Sequence, residues 1–358
     1  VNALQWFEVI VSLAVQVTAI TIAAVALERR APAAMVKTRV WVCYYAALVG
    51  LLAAGLLLPR AQWIHPWQTL SDGDLLRMIN LQQAAALVLL TIWLAGLGCL
   101  AAQWMIDFWR LRRFLQHCPL AASAEQDRLR AAAPQALLRF AGRSVQFRVA
   151  PEAAGPFCYQ FHQPAVYLPQ SLIDGDAAEL RHVLRHELTH LHTHHPLQVF
   201  VQRFVQTVFW FVPPIWTAGR RAALAREFVC DEAAVDQGAS AASYLKTLLR
   251  YAELQRPGSA VLAISPSSSE LRIRAQRLAQ SGPARAGRVA RLAPACLLLA
   301  ALLLSQAWLP TNPLASPKSG YSPWPSWSAA ALHVFDVSVR DFDQFEGRLQ
   351  VYELSQQR

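Results

Sequence analysis

Apolar positions in this chain come in long unbroken runs near both ends, and in short periodic patterns between them. Residues 9–27, 40–58, 84–106 and 292–309 carry no polar face and are long enough to cross a bilayer as helices. Buried helices of a large soluble protein are the less favoured alternative, because amphipathic segments would break such runs with polar residues at helical spacing. Between the third and fourth runs the pattern changes. Residues 124–140 form a polar helical stretch, while 144–149 and 165–168 are β-rich runs separated by a loop with Pro151, Gly155 and Pro156. That arrangement predicts two strands of a small sheet. Asp174 or Asp176 suits the N-cap of a helix reaching about His194, where Pro196 interrupts or kinks it. Leu180, Val183, Leu184, Leu188 and Leu191 mark the core stripe of that helix. Residues 197–216 are again very apolar, but Gln202, Arg203 and Gln206 recur at helical spacing. The segment therefore reads as a helix at the bilayer surface or against the other spans, in preference to a fifth span. Helices follow near 217–236, 241–254 and 268–279, and the alternating segment 334–339 suits a strand or small hairpin.

Composition supports the membrane reading. The 358 residues are 54% hydrophobic and 16% charged, where a soluble domain carries about a quarter charged residues. Of the 12 tryptophans, Trp6, Trp41, Trp63, Trp67, Trp104, Trp109, Trp308, Trp324 and Trp327 fall near span ends, where amphipathic rings prefer the interface. Basic residues set the orientation. Arg29, Arg30, Lys37 and Arg39 occupy the first loop, Arg110, Arg112 and Arg113 follow the third run, and Arg285, Arg288 and Arg291 precede the fourth. Both termini are thus expected outside and residues 110–291 inside, in the cytoplasmic (inner) membrane of the cell. With no basic region before the first run, that run reads as a retained span. The net charge of +10 is largely this flanking arginine; attraction to anionic lipid headgroups accounts for it, and no direct nucleic-acid binding is expected. The six cysteines form no disulfide framework and no Cys-x-x-Cys site.

The candidate chemistry is His-Glu-Leu-Thr-His at 186–190. Two histidines four apart share a helix face, so His186 and His190 can hold one Zn²⁺, and Glu187 then stands beside the open position as a general base for water. A catalytic zinc needs a third protein ligand. Glu227, in the sequence Glu-x-x-Cys-Asp, is the candidate, with Asp231 on the same face to fix a ligand histidine's tautomer. Surface pairing of Glu227 and Asp231 with Arg226 or Arg220 is the bland alternative. His182 and His194 extend the histidine spacing and are weaker candidates for an accessory metal role.

Over about residues 155–236 the chain resembles the BlaR/MecR-type family of integral-membrane zinc metallopeptidases. The resemblance rests on Gly-Pro-Phe at 155–157, Pro-Ala-Val-Tyr-Leu-Pro at 164–169, the zinc helix, Phe-Trp-Phe-Val-Pro-Pro-Ile-Trp at 209–216 and the Glu-x-x-Cys-Asp block. Weaker similarity continues through Tyr244-Leu245 and Leu271-Arg272-Ile273. It implies a gluzincin: His186, His190 and Glu227 as metal ligands, Glu187 as general base, Asp231 supporting a ligand. The expected fold is mainly α: a three-span anchor (1–109), an inner-face α+β zinc metalloprotease domain (110–291), a fourth transmembrane helix (292–309) and a short outer tail (310–358). The strand at 165–168 is a candidate edge for an extended substrate, and Tyr159, Tyr167 and Tyr244 are oxyanion-donor candidates without further support. The chain departs from the family in carrying His192, Thr193, His194 and His195 where a basic pair and an acid are common. It also departs in its tail, which holds no Ser-x-x-Lys and has no room for a penicillin-binding sensor. The leading expectation is a signalling protease that cleaves itself or a cytoplasmic target, such as a transcriptional repressor, in response to an outside stimulus, with the tail meeting an extracytoplasmic partner. A constitutive quality-control protease and a non-proteolytic zinc-fold scaffold are the alternatives.

Overall fold

The computed structural model describes residues 3–57, 71–235, 241–254, 268–280, 288–305 and 307. The first two apolar runs form α1 (Ala3–Arg30) and α2 (Ala34–Leu57). They meet along a continuous seam, with the few polar side chains of α1, such as Gln16 and Thr21, buried within the bundle. Val9, Leu13, Val17, Ile20 and Ala24 of α1 lie in one buried cluster with Val40, Trp41, Tyr44, Leu48 and Leu51 of α2. The third run becomes α3 (Asp72–Gln116), 45 residues long and N-capped by Ser71. At 1.5 Å per residue it is about 67 Å long, roughly twice the hydrocarbon thickness of a bilayer. Among the described residues, three helices, Trp6–Arg30, Ala34–Ala54 and Gly73–Gln116, are long and apolar enough to cross a membrane.

Two expectations shift here. The anchor boundary at 109 falls inside α3, which continues without Gly or Pro to Gln116 and hands the chain directly to the sheet. The fourth run forms α11 (Arg288–Leu304), only 17 residues with Pro294 inside it; it packs on α1 and α2 but is shorter than the other three. The tail at 310–358, including the expected strand at 334–339, lies outside the described residues.

After α3 the chain builds a small α+β unit. α4 (Ser123–Ala132) is stopped by Pro134, followed by a 3₁₀ turn at Gln135–Leu137, so the predicted single helix 124–140 is cut short. A hairpin of β1 (Arg139–Phe140) and β2 (Arg143–Ser144) turns through Ala141 and Gly142, both at positive φ. β3 (Gln146–Ala150) and β5 (Ala165–Pro169) are the two predicted strands, and they pair in parallel. A third strand, β4 (Phe157–Tyr159), pairs antiparallel with β5. The order β3-β5-β4 places β5 in the centre, every residue buried.

Short α5 (Gln170–Ile173) leads to α6 (Ala177–His192), capped by Asp176, whose carboxylate accepts from the backbone N–H of Ala178 and Glu179. The stripe Leu180, Val183, Leu184, Leu188 and Leu191 is buried against Phe147, Val166 and Leu168 of the sheet. α6 ends at His192; His194 takes a left-handed conformation (φ 56°), and α7 (His195–Val208) starts afresh with Pro196 in its first turn. Pro196 therefore opens a helix, where its missing N–H costs nothing, and does not kink one. α7 has 14 residues and lies across α2, α3 and α8 (Pro214–Val235). Its polar side faces protein: Gln202 reaches the Gly219 carbonyl of α8, Arg203 pairs with Asp107 of α3, and a Cβ at Gly219 would come within 2.1 Å of the Gln206 amide. Leu197, Phe200 and Phe204 stay exposed on the other side. α9 (Ala241–Leu254) and α10 (Ser268–Gln280) then close over α8.

Candidate active site

α6 and α8 pack face to face, and each presents one turn of functional groups to the other. On α6, His186 and His190 stand one turn apart with their Nε2 atoms 3.1 Å from each other. From α8, the Glu227 carboxylate straddles them, Oε2 lying 3.5 Å from His186 Nε2 and Oε1 3.5 Å from His190 Nε2. Zinc bonds of about 2.0–2.2 Å in a tetrahedron separate neighbouring ligand atoms by roughly 3.3–3.5 Å. Each histidine lies at about that spacing from one Glu227 oxygen, and the two histidine nitrogens are only slightly closer, so the donor set fits a zinc ion. His186, His190 and Cys230 also offer three ligand atoms within 4.8 Å of one another. Cys230 is fully buried, and burial, followed by the Glu227 charge, pushes its thiol well above the usual range. Four protein ligands would also leave no open position, so Glu227 is the better third donor for a catalytic site.

Each ligand histidine is held from behind. His186 Nδ1 lies 2.9 Å from the Tyr244 hydroxyl and 3.4 Å from Asp231 Oδ1, and Tyr244 in turn donates to Asp231 Oδ1 at 2.7 Å. Arg274 of α10 grips both acids, donating Nε and Nη2 to Asp231 at 2.8 and 2.5 Å and placing Nη1 3.0 Å from Glu227 Oε2. His190 Nδ1 lies 2.9 Å from Nδ1 of His195.

The electrostatics follow from burial opposed by pairing. Glu187, buried on α6, has its carboxyl raised to about 7 by desolvation, with Glu227 adding to the rise and His186 and Arg274 opposing it. Glu227 is driven the other way: burial would raise it, but His190, the hydrogen bond with His186 and the Arg274 charge hold it well below the carboxylate range. Burial lowers His190 to about 3, whereas in His186 the hydrogen bond and charge of Glu227, with Asp231, overcome desolvation and raise it.

The structure thus brings His186, Glu187, His190, Glu227 and Asp231 together, as the spacing predicts. The two weaker candidates make other contacts: His182 packs its ring on Tyr244 with Nδ1 3.4 Å from the Ala234 carbonyl, and His194 lies against Phe140. Tyr244 supports Asp231 and His186 from behind instead of facing a substrate, and Tyr167 is stacked on Phe157. The substrate-edge expectation is also corrected: β5 is flanked on both sides, so the outer strand beside α6 is β4. The sequence marks His195 only as a departure from the family and does not mark Arg274 at all; a buried arginine facing Glu227 and Asp231 leaves no local pattern to read.

A family model described as BlaR1 peptidase M56 matches residues 5–278. No curated protein matches the chain.

Proposed function

This chain belongs to the BlaR1 peptidase M56 family, and from that premise we propose that it is a membrane-embedded zinc endopeptidase acting in transmembrane signalling. The observation that carries the reading is the convergence of His186, His190 and Glu227 within 3.5 Å, with Glu187 on the same turn as the histidines. His186 Nε2, His190 Nε2 and a Glu227 oxygen would hold the ion, and Arg274 would retain Glu227 Oε2. Zinc in such a site polarises a peptide carbonyl and acidifies water. Glu187 takes the proton of the attacking water at its carboxylate and returns it to the departing amine nitrogen. A carboxyl raised towards neutrality by burial is suited to both transfers. Asp231, through Tyr244, keeps the His186 ring oriented. The outer strand β4 offers the edge to which an extended substrate adds.

The substrate is the chain itself or a cytoplasmic regulator of the repressor type, cleaved on the inner face in response to an outside stimulus. Support for a link between spans and site comes from the α1–α2 turn. Glu28 pairs with Lys37 at 3.1 Å and with Arg221 of α8 at 2.7 Å, and Arg277 of α10 donates to the Pro32 carbonyl. Thr38 donates to the carbonyl of Ala225, two residues before Glu227. A movement of α1 against α2 therefore bears directly on the helix that carries the third ligand.

The test compares membranes carrying wild type and Glu187→Gln for zinc content and for peptides that accumulate. Cleavage products should vanish in the variant while its zinc content stays at the wild-type level. Equal cleavage by both proteins would overturn the catalytic assignment.

A further inference from the structure

We propose that His195 is the positioning residue for His190, accepting a hydrogen bond from His190 Nδ1–H so that Nε2 of His190 stays turned to the metal. The inference rests on the zinc reading above and concerns a side chain that takes no part in it. His195 is the first residue of α7, and is 1% exposed. Its Nδ1 sits 2.9 Å from Nδ1 of His190, with the neutral Cys230 thiol 3.5 Å from the same atom, and its Nε2 is buried without a hydrogen-bond partner.

Two nitrogens at that distance must share one proton, and bookkeeping on the rings fixes whose it is. An imidazole that gives its Nε2 lone pair to a metal carries its proton on Nδ1. His190 is then the donor, His195 Nδ1 the acceptor, and the His195 proton goes to Nε2. In the metal-free protein the opposite pairing is open: His195 Nδ1–H donates and His190 carries its proton on Nε2, beside His186 Nε2 and Glu227. Loading the ion exchanges the tautomers of both rings, with no proton gained or lost by the pair.

Two other roles for His195 fit less well. As a metal ligand it is on the wrong side, since it meets His190 at Nδ1 and not at the Nε2 atom that faces His186 and Glu227. As a packing residue it is a poor choice, because a buried imidazole nitrogen with no partner carries a desolvation cost that leucine would not. The parallel with His186 completes the case. That ring has the Tyr244 hydroxyl and Asp231 behind its Nδ1, and His195 supplies the corresponding support for His190.

The experiment exploits side-chain shape. Asparagine Oδ1 occupies the position of histidine Nδ1 and accepts a hydrogen bond there, whereas leucine Cδ1 fills it without accepting. Zinc affinity of the purified full chain in detergent is measured by chelator competition for wild type, His195→Leu and His195→Asn, with thermal melting of the metal-free proteins alongside. His195→Leu should bind zinc about 10- to 100-fold more weakly while melting no lower than wild type, and His195→Asn should stay within about threefold of wild type. Wild-type affinity in His195→Leu, or equal loss in both variants, would overturn the proposal. Nitrogen NMR on isotope-labelled histidine needs no variant: zinc-loaded wild type should show His195 protonated on Nε2, and a proton on its Nδ1 would overturn it too. A wild type that takes up no zinc fails the metal reading itself, a result distinct from zinc uptake indifferent to His195.

Discussion

Replacing Arg274 by methionine should destabilise the metal-free protein far more than the zinc-loaded one. Arg274 is 6% exposed and holds two carboxylates at once: Asp231 through two hydrogen bonds of 2.8 and 2.5 Å, and Glu227 at 3.0 Å. Its guanidinium stays charged despite burial because Glu227 and Asp231 face it. Methionine keeps the aliphatic stem and removes the charge, leaving two acids together. Removing one partner of a buried ion pair costs about 3–5 kcal/mol. Asp231 keeps the Tyr244 hydroxyl and the His186 ring, so the lower end, about 3 kcal/mol, applies. For a chain of this size that is a drop of roughly 4 °C in melting temperature. Zinc returns positive charge to Glu227, and with the competing guanidinium gone the variant should bind the ion more tightly; at one free-zinc concentration a tenfold lower Kd returns about 1.4 kcal/mol of the loss. The expected pattern in tryptophan-fluorescence melts at a fixed heating rate is thus a large gap between wild type and Arg274→Met in chelator and a smaller one in zinc. Arg274→Lys should fall between them, since an ammonium keeps the charge but not the fork that spans both acids. Identical melts for wild type and Arg274→Met in chelator would refute the reasoning, as would a gap that widens when zinc is added.

Two further outcomes are expected. Glu227→Ala should lose zinc or bind it at reduced occupancy, whereas Glu232→Ala, whose side chain pairs with Arg277 at 2.8 Å, should keep it; metal analysis of both purified proteins decides, and full occupancy in Glu227→Ala would rule out that ligand. Gly96→Ala should lower stability by about 1–3 kcal/mol through overpacking, because a Cβ there would stand 2.2 Å from the Trp210 ring. That ring is fixed by a reciprocal clasp, Trp210 Nε1 to the Trp93 carbonyl and Trp93 Nε1 to the Val208 carbonyl, so an unchanged melt would mean the clasp yields at no cost.

What could be read from the sequence was what repeats at short range. The four-residue spacings of His186 with His190 and of Glu227 with Asp231 are properties of a helix surface, and both survive folding as shared faces. The leucine stripe of α6 and the β-rich runs of β3 and β5 were legible for the same reason. Contacts between distant helices were not. Arg274 reaches Asp231 from 43 residues away, and Tyr244 reaches His186 from 58; nothing in either neighbourhood marks the partner. At α3 the arginines at 110, 112 and 113 mark the expected end of a span, but charge ends a span without ending a helix, and the helix runs on to Gln116.

α8 explains how a membrane anchor and a hydrolytic site come to share one helix. Toward the spans it presents Ala218, Ala222 and Ala225, all buried in the cluster built by α1 and α2, together with Gly219 against the α7 amides. Small side chains let helix backbones approach closely, and packing then depends on shape with little room to adjust. The next turn carries Glu227, Cys230 and Asp231 into the site. A larger residue at Ala222 or Ala225 would push α8 away from α2 and carry the Glu227 carboxylate with it. The histidine nitrogens lie 3.1 Å apart and each is 3.5 Å from one Glu227 oxygen, so on the proposed zinc reading a shift of about 1 Å would spoil a tetrahedron built on bonds near 2 Å. On the proposed reading, the same sensitivity would give the spans a physical means of controlling the site: small changes in how α1 and α2 pack would reach Glu227 through α8.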